Sequence, residues 1–198
     1  MSGTWIFVCG PSGSGKDSVI SAAQQTVSGS KEIVFSRRLV TRATQHDSDH
    51  HPVTESDFLS LLEAGGLCWH WQAHGFYYGI EKHYAAEVAA GRVVVINGSR
   101  GHTDTLPPSP DRRLVHITAD PDKLAVRLLQ RGRDTATAVA ERLARNALFA
   151  KMKADFVIVN NAELSVAGQQ LANYLESWQP DATAATAAKR ITDSSTRA

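Results

Sequence analysis

Residues 10–18 read Gly-Pro-Ser-Gly-Ser-Gly-Lys-Asp-Ser and directly follow an apolar run from Thr4 to Cys9. Glycines at 10, 13 and 15 let a backbone curl without Cβ clashes, so successive N–H groups can converge on an anion. A helix starting just behind such a turn adds the positive end of its dipole. Lys16 can then reach the outer phosphates of a bound polyphosphate. This is chemistry for holding ATP during phosphoryl transfer. The expected nucleotide-binding set is Gly10, Pro11, Ser12, Gly13, Ser14, Gly15, Lys16, Asp17 and Ser18. A glycine-rich turn without a ligand is the bland alternative, and the strand-turn-helix setting argues against it. The residue after the lysine usually supplies a hydroxyl to Mg²⁺. Here it is Asp17, followed by Ser18. Asp17 as a metal ligand, Ser18 as the hydroxyl, and Asp17 as a first-turn acid suited to the helix dipole all remain open. Mg²⁺ dependence is expected on the strength of the motif.

Phosphoryl transfer is mostly positioning plus neutralisation of developing charge, and the arginine fork binds phosphate oxygens in pairs. Arg37, Arg38 and Arg42 lie in one polar stretch, Arg42 directly after Thr41. Arg127, Arg131 and Arg133 run from a helix into a turn containing Gly132, and Arg142 and Arg145 sit one turn apart on a further expected helix. A mobile arginine lid would close over the phosphates and keep water out. A solvated basic face paired with Asp134 and Glu141 is the competing reading, which the phosphate loop makes second choice. His46, His50 and His51 with Asp47 and Asp49 lack the spacing of structural zinc sites. A solvated loop is the first reading there, contact with a phosphorylated sugar the second, and metal the last.

The elements that position these residues alternate. Thr4 to Cys9 is expected as a buried strand, Asp17 to Gln25 as a helix and Glu32 to Ser36 as a strand. Arg37 to Pro52 reads as a loop. Thr54 is an expected N-cap, with Asp57 three residues on, for a helix ending at Gly65 and Gly66. Leu67 to Tyr78 alternates aromatic and polar residues, predicting a small antiparallel sheet that turns at Gly75. His83 to Ala90 is expected as a helix. Val93 to Ile96 is a continuous apolar run, the pattern of a central parallel strand. Leu114 to Thr118 is another strand, and Asp120-Pro121 opens a helix. Ala136 to Ala150 is a helix, Asp155 to Val159 a strand, and a last helix runs to about Tyr174. From Gln179 the chain has little to bury and is expected to be disordered.

This order predicts an α/β fold, a three-layer arrangement with a central parallel sheet, a small inserted acceptor-binding lobe and an arginine-rich lid. The expected divisions are a kinase domain over 1–178, with the lobe at about 37–85 and the lid at about 127–145, and a tail over 179–198. The chain's 198 residues suit one such domain. Its formal net charge of +1 gives no overall field toward nucleic acid or membrane, and neither is an expected partner. Cys9 and Cys68, with no secretory pattern at the start, predict reduced thiols in the cytoplasm. Both read as small buried hydrophobes. Monomer and homodimer both remain open.

G-P-S-G-S-G-K, Thr41-Arg42, Gly75-Phe76-Tyr77-Tyr78-Gly79, R-L-L-Q-R-G at 127–132, R-L-A at 142–144 and V-I-V-N-N at 157–161 resemble the guanylate kinase family of nucleoside monophosphate kinases. The resemblance covers roughly Thr4 to Leu175. It implies Lys16 and the lid arginines Arg127, Arg131 and Arg142 as catalytic groups, Asn160 near the adenosine, and Arg38, Arg42 and Tyr78 on the acceptor's phosphate. The guanine-reading groups are missing. Trp69 falls where the family has an acid, Ile80 where it has a hydroxyl, Ile96-Asn97-Gly98-Ser99-Arg100-Gly101 where it carries an Asp-x-Asp-x-Gln-Gly run, and Gln45 near its second loop arginine. Ser99 and Arg100 would instead favour an anionic acceptor. G-K-D-S, W-x-x-H-G-x-Y-Y-G and V-V-V-I-N-G-S-R together look like the guanylate-kinase-like phosphokinases of bacterial phosphonate utilisation. That resemblance implies a small phosphorylated sugar as substrate, with the 1-phosphate of a ribose bisphosphate taking ATP's γ-phosphoryl group. A nucleoside monophosphate kinase of altered base preference is the alternative. A non-catalytic protein-binding module of the same fold is another, and it would be expected to have lost the phosphate loop or the lid arginines.

Overall fold

The computed structural model describes residues 3–42, 50–130 and 153–178. Among these, a five-stranded parallel sheet runs β2-β7-β1-β8-β9. Its strands are β1 (Thr4–Cys9), β2 (Ile33–Phe35), β7 (Val93–Asn97), β8 (Arg112–Thr118) and β9 (Phe156–Val159). Both faces are covered, which is why the central strands carry unbroken apolar runs. Ile6, Val8, Val93 and Val95 point into one core with α1 (Lys16–Thr26) and the final described helix, α6 (Leu164–Glu176). Trp5, Phe7, Cys9, Val94 and Ile96 point into the other. The first core draws α1 and α6 together. A Cβ at Gly168 would stand 2.6 Å from Ala22 Cβ, so glycine permits this approach.

The second core joins the main sheet to a four-stranded sheet ordered β4-β3-β6-β5. Its strands are β3 (Arg38–Val40), β4 (His50–Pro52), β5 (Leu67–Ala73) and β6 (Phe76–Glu81). β5 and β6 form the expected hairpin, turning through His74 and Gly75, both at positive φ as in a type I′ turn. Trp71 lies opposite Tyr78, and Val40 pairs with Tyr78 from the other side. The segment read as a loop over Arg37 to Pro52 thus contains two three-residue strands. β3 pairs antiparallel with β6 and parallel with β4. Residues 43–49, between them, lie outside the described residues.

α2 (Glu55–Glu63) starts as expected. The Thr54 side chain accepts from the Asp57 N–H at 3.1 Å and donates to the Asp57 carboxylate at 2.7 Å. α3 (His83–Ala89) precedes β7, a short α4 (Arg100–Thr103) follows it, and α5 (Pro121–Gln130) follows β8. The helix expected over Ala136 to Ala150 and the tail from Gln179 lie outside the described residues. Cys9 and Cys68 are free thiols. Burial pushes both up to about 11, so neither is a ready nucleophile. No described helix is long and apolar enough to cross a membrane.

Candidate active site

β1 ends at Cys9, and the chain turns through Gly10 to Gly15 into α1. Gly15 has φ 79°, a left-handed conformation that suits glycine. A Cβ there would also stand 2.5 Å from Asn160 Nδ2. Asn160, just past β9, is what braces the loop. Its Nδ2 donates to the Ser14 carbonyl at 2.8 Å, and its backbone N–H donates to the Thr118 carbonyl at 2.7 Å. Arg127 on α5 completes the brace, its Nη2 donating to the Asn160 carbonyl at 3.0 Å. Arg127 Nη1 and Ser14 Oγ are buried with no partner among the described residues. An unsatisfied buried donor costs about 1–3 kcal/mol. Such donors beside a turn of this shape fit an incoming phosphate group.

Lys16 opens α1 with its side chain 16% exposed, against 68% for its neighbour Asp17. Its Nζ donates to Asp17 Oδ1 at 3.0 Å and to Asn97 Oδ1. Asn97 Nδ2 in turn donates to Asp17 Oδ1 at 2.8 Å. Burial pushes the Lys16 ammonium below the usual lysine range; the Asp17 carboxylate pulls it back, and the charge of Arg38 lowers it further. Asn97, which sequence reasoning passed over, joins the Lys16–Asp17 cluster. It is 3% exposed at the carboxyl end of β7, the end where parallel sheets bind ligands. One signal for it was present: a lone amide closing an otherwise apolar central strand.

The expected acceptor residues fall on two elements. Arg38 and Tyr78 share a face of the smaller sheet, with the Arg38 guanidinium 6.0 Å from the Tyr78 ring centre. Arg38 is 7% exposed, and its Nη2 lies 3.1 Å from His50 Nε2. Arg42 lies 5.9 Å from the Phe76 ring centre. It also lines an open cleft of about 480 Å³ with Thr41, His51, Pro52, Val53, Thr54 and Asp57. No residue of the Gly10–Ser18 turn lines that cleft. Ser99 and Arg100 stand where β7 gives way to α4. The charge of Arg100 bears on both Cys9 and His116, on β1 and β8. Arg100 therefore faces the same end of the main sheet as the phosphate loop. Arg131, Arg133, Arg142 and Arg145, and with them most of the expected lid, lie outside the described residues. So do Gln45, His46, Asp47 and Asp49. Among the described residues no group of three or more His, Cys, Asp or Glu side chains is arranged to hold a metal ion.

Trp69, expected where the family has an acid, packs edge-on against Trp5 and Phe7 at 5.7 and 5.4 Å between ring centres. His102 of α4 stacks on Trp71 at 4.9 Å, and Trp71 stacks on Tyr78 at 5.5 Å. Burial, then the neighbouring His70 and Arg112, lowers His102 to about 4, so it is neutral near pH 7. Aromatic rings thus cluster around Trp69 at this end of the second core. Ile80, expected where the family has a hydroxyl, is fully buried in the same core.

The chain is similar to proteins named ribose 1,5-bisphosphate phosphokinase PhnN from several bacteria. With that of Thiobacillus denitrificans it is 38% identical over 180 residues, covering 87% of this chain and 93% of the relative. With that of Burkholderia mallei it is 38% identical over 174 residues, covering 86% and 94%. With that of Acidiphilium cryptum it is 38% identical over 167 residues, covering 84% and 89%. Among solved structures, guanylate kinase from Anaplasma phagocytophilum superposes with a TM-score of 0.65 over 91% of this chain and 88% of that one, at 18% identity. The backbone is therefore guanylate-kinase-like. No family model matches the chain.

Proposed function

The chain belongs to the ribose 1,5-bisphosphate phosphokinase family, and from that premise we propose that the site around Lys16 moves the γ-phosphoryl group of ATP onto the 1-phosphate of ribose 1,5-bisphosphate. The products are ADP and 5-phospho-α-D-ribose 1-diphosphate (PRPP), and the reaction serves phosphonate catabolism and PRPP synthesis. The single observation that carries this assignment of the chemistry is the braced phosphate loop, with Lys16 held at its mouth by Asp17 and Asn97.

In this reading the acceptor's 1-phosphate oxygen attacks the γ-phosphorus in line, and the bond to the β,γ-bridging oxygen breaks. That nucleophile is already anionic near neutral pH, so no strong general base is required. Loop amides from Gly13 to Asp17 hold the triphosphate, and Lys16 and Arg127 neutralise charge as it develops. Arg131 and Arg142 would close over the phosphates. Arg38, Arg42 and Tyr78 would take one end of the acceptor and Ser99 and Arg100 the other. Asn160 works from beneath, keeping the loop in shape. The oxygens of Asp17 and Ser18 would hold Mg²⁺, which when bound would supply positive charge to offset the negative charge developing on the phosphates. Residues 1–178 act as the kinase domain, 37–85 as the acceptor lobe and 127–145 as the lid, with 179–198 as a tail. A cytoplasmic monomer or homodimer suits this account.

The guanylate-kinase-like backbone favours one second reading, phosphorylation of a nucleoside monophosphate. The rings around Trp69 oppose it. Steady-state turnover with ribose 1,5-bisphosphate, GMP and other monophosphates separates the two. The sugar bisphosphate is expected to give the highest kcat/KM, and a faster reaction with GMP would reverse the assignment.

A further inference from the structure

In enzymes with a phosphate loop, the metal is held between a hydroxyl that follows the loop lysine and an acid from a neighbouring strand. This chain has neither in its usual place. An acid, Asp17, follows the lysine, and an amide, Asn97, closes β7, the strand beside β1. The two side chains nevertheless meet, Asn97 Nδ2 donating to Asp17 Oδ1 at 2.8 Å. We infer that Asp17 and Asn97 together form the divalent-cation site, with the carboxylate and its neutral hydrogen-bond partner exchanged between loop and strand. The inference rests on the ATP reading above and deepens it by choosing Asp17 over Ser18 as the ligand.

Three observations carry it. The first is the amide's double role. Asn97 accepts from Lys16 Nζ through Oδ1 and donates to Asp17 through Nδ2. An ionised acid at 97 could accept from the lysine but could not donate to Asp17, and an apolar residue could do neither. Once Asp17 follows the lysine, an amide is the side chain that serves both neighbours. The second is exposure. Asp17 is 68% exposed, whereas Asn97 is 3% exposed. The charged member therefore sits where Mg²⁺ can keep its waters, and the neutral member sits where a charge would be costly to bury. The third is orientation. The bonds from Lys16 and from Asn97 both reach Asp17 Oδ1, which orients the carboxylate beside the mouth of the loop. Asn97 is thus a positioning residue for the ligand.

The test is calorimetric titration of the full chain with ATP in excess EDTA and with MnATP, with Mn²⁺ paramagnetic resonance on the bound complex. The readout is the tightening that the metal brings. Wild type is expected to bind MnATP more tightly than metal-free ATP. Asp17→Ser should lose that tightening by on the order of tenfold, the size of one charge-assisted contact, while metal-free binding persists. Asn97→Leu should weaken it in the same direction. Asp17→Ser combined with Asn97→Asp restores the usual arrangement and should recover most of it. Asp17→Asn, which keeps the side chain's shape, gives the same ratio should the serine variant fail to fold. Full tightening in Asp17→Ser, or a double variant no better than the single one, would overturn the cation site and leave the phosphate loop intact. A folded wild type that binds ATP in neither condition would overturn the loop itself.

Discussion

Asn160 Nδ2 donates to the Ser14 carbonyl oxygen at 2.8 Å, so a residue just past β9 holds the phosphate loop in shape. Both residues are buried. Asn160→Ala should therefore destabilise the fold by about 1–3 kcal/mol, the range for leaving a buried acceptor unpaired. It should also raise the KM for ATP, because the loop amides lose their fixed spacing. Denaturant unfolding with steady-state kinetics checks both. An unchanged unfolding midpoint with unchanged KM would show that the brace is idle.

Lys16→Ala should lower kcat by about a hundredfold or more, the cost of removing one preorganised donor from developing charge. Far-UV dichroism should stay that of the wild type, since the ammonium lies at the loop's mouth and not in either core. Near-normal turnover in a folded variant would contradict the assignment of the loop.

Arg100 differs from Lys16 in its expected signature. It stands at the end of the main sheet, at the start of α4, rather than in the Gly10–Ser18 turn. Arg100→Ala should raise the KM for the sugar bisphosphate on the order of tenfold, as for loss of one charged hydrogen bond, with the KM for ATP little changed. Equal effects on both substrates would remove Arg100 from the acceptor side.

His102 gives a pH dependence whose sign can be worked out. Its folded value is lowered from 6.5 to about 4, so the unfolded chain binds the proton more readily. Its contribution to stability is present above pH 6.5 and declines as the pH falls from 6.5 toward 4. His102→Phe keeps a ring on Trp71 and removes the titration. Its unfolding midpoint should fall less than that of wild type between pH 7 and pH 5. Parallel losses in the two proteins would place the acid sensitivity elsewhere, with His116 the first group to examine.

The strand-turn-helix that carries Lys16 was legible in the sequence because its signals are contiguous: glycines, lysine and helix start lie within nine residues. The parallel sheet was legible for a related reason, since burial on both faces leaves unbroken apolar runs such as Val93 to Ile96. β3 and β4 were not legible. Each is only three residues long, and each is a strand by virtue of a partner: Leu39 meets Gly79, and Arg38 meets His50. His-His-Pro carries no strand pattern of its own. Asn97 was missed because its meaning lies in Lys16, 81 residues earlier. The aromatic fill shows both cases at once. The family resemblance implies a missing acid at Trp69, but only the fold brings Trp5, Phe7 and His102 to its neighbourhood.

The most direct measurement is phosphorus NMR of the reaction itself, with purified chain, ATP, Mg²⁺ and ribose 1,5-bisphosphate, and a parallel sample holding GMP. The account predicts coupled doublets of a sugar 1-diphosphate growing as ADP forms, and no comparable GDP signal in the parallel sample. GDP accumulating faster than the sugar diphosphate would contradict it.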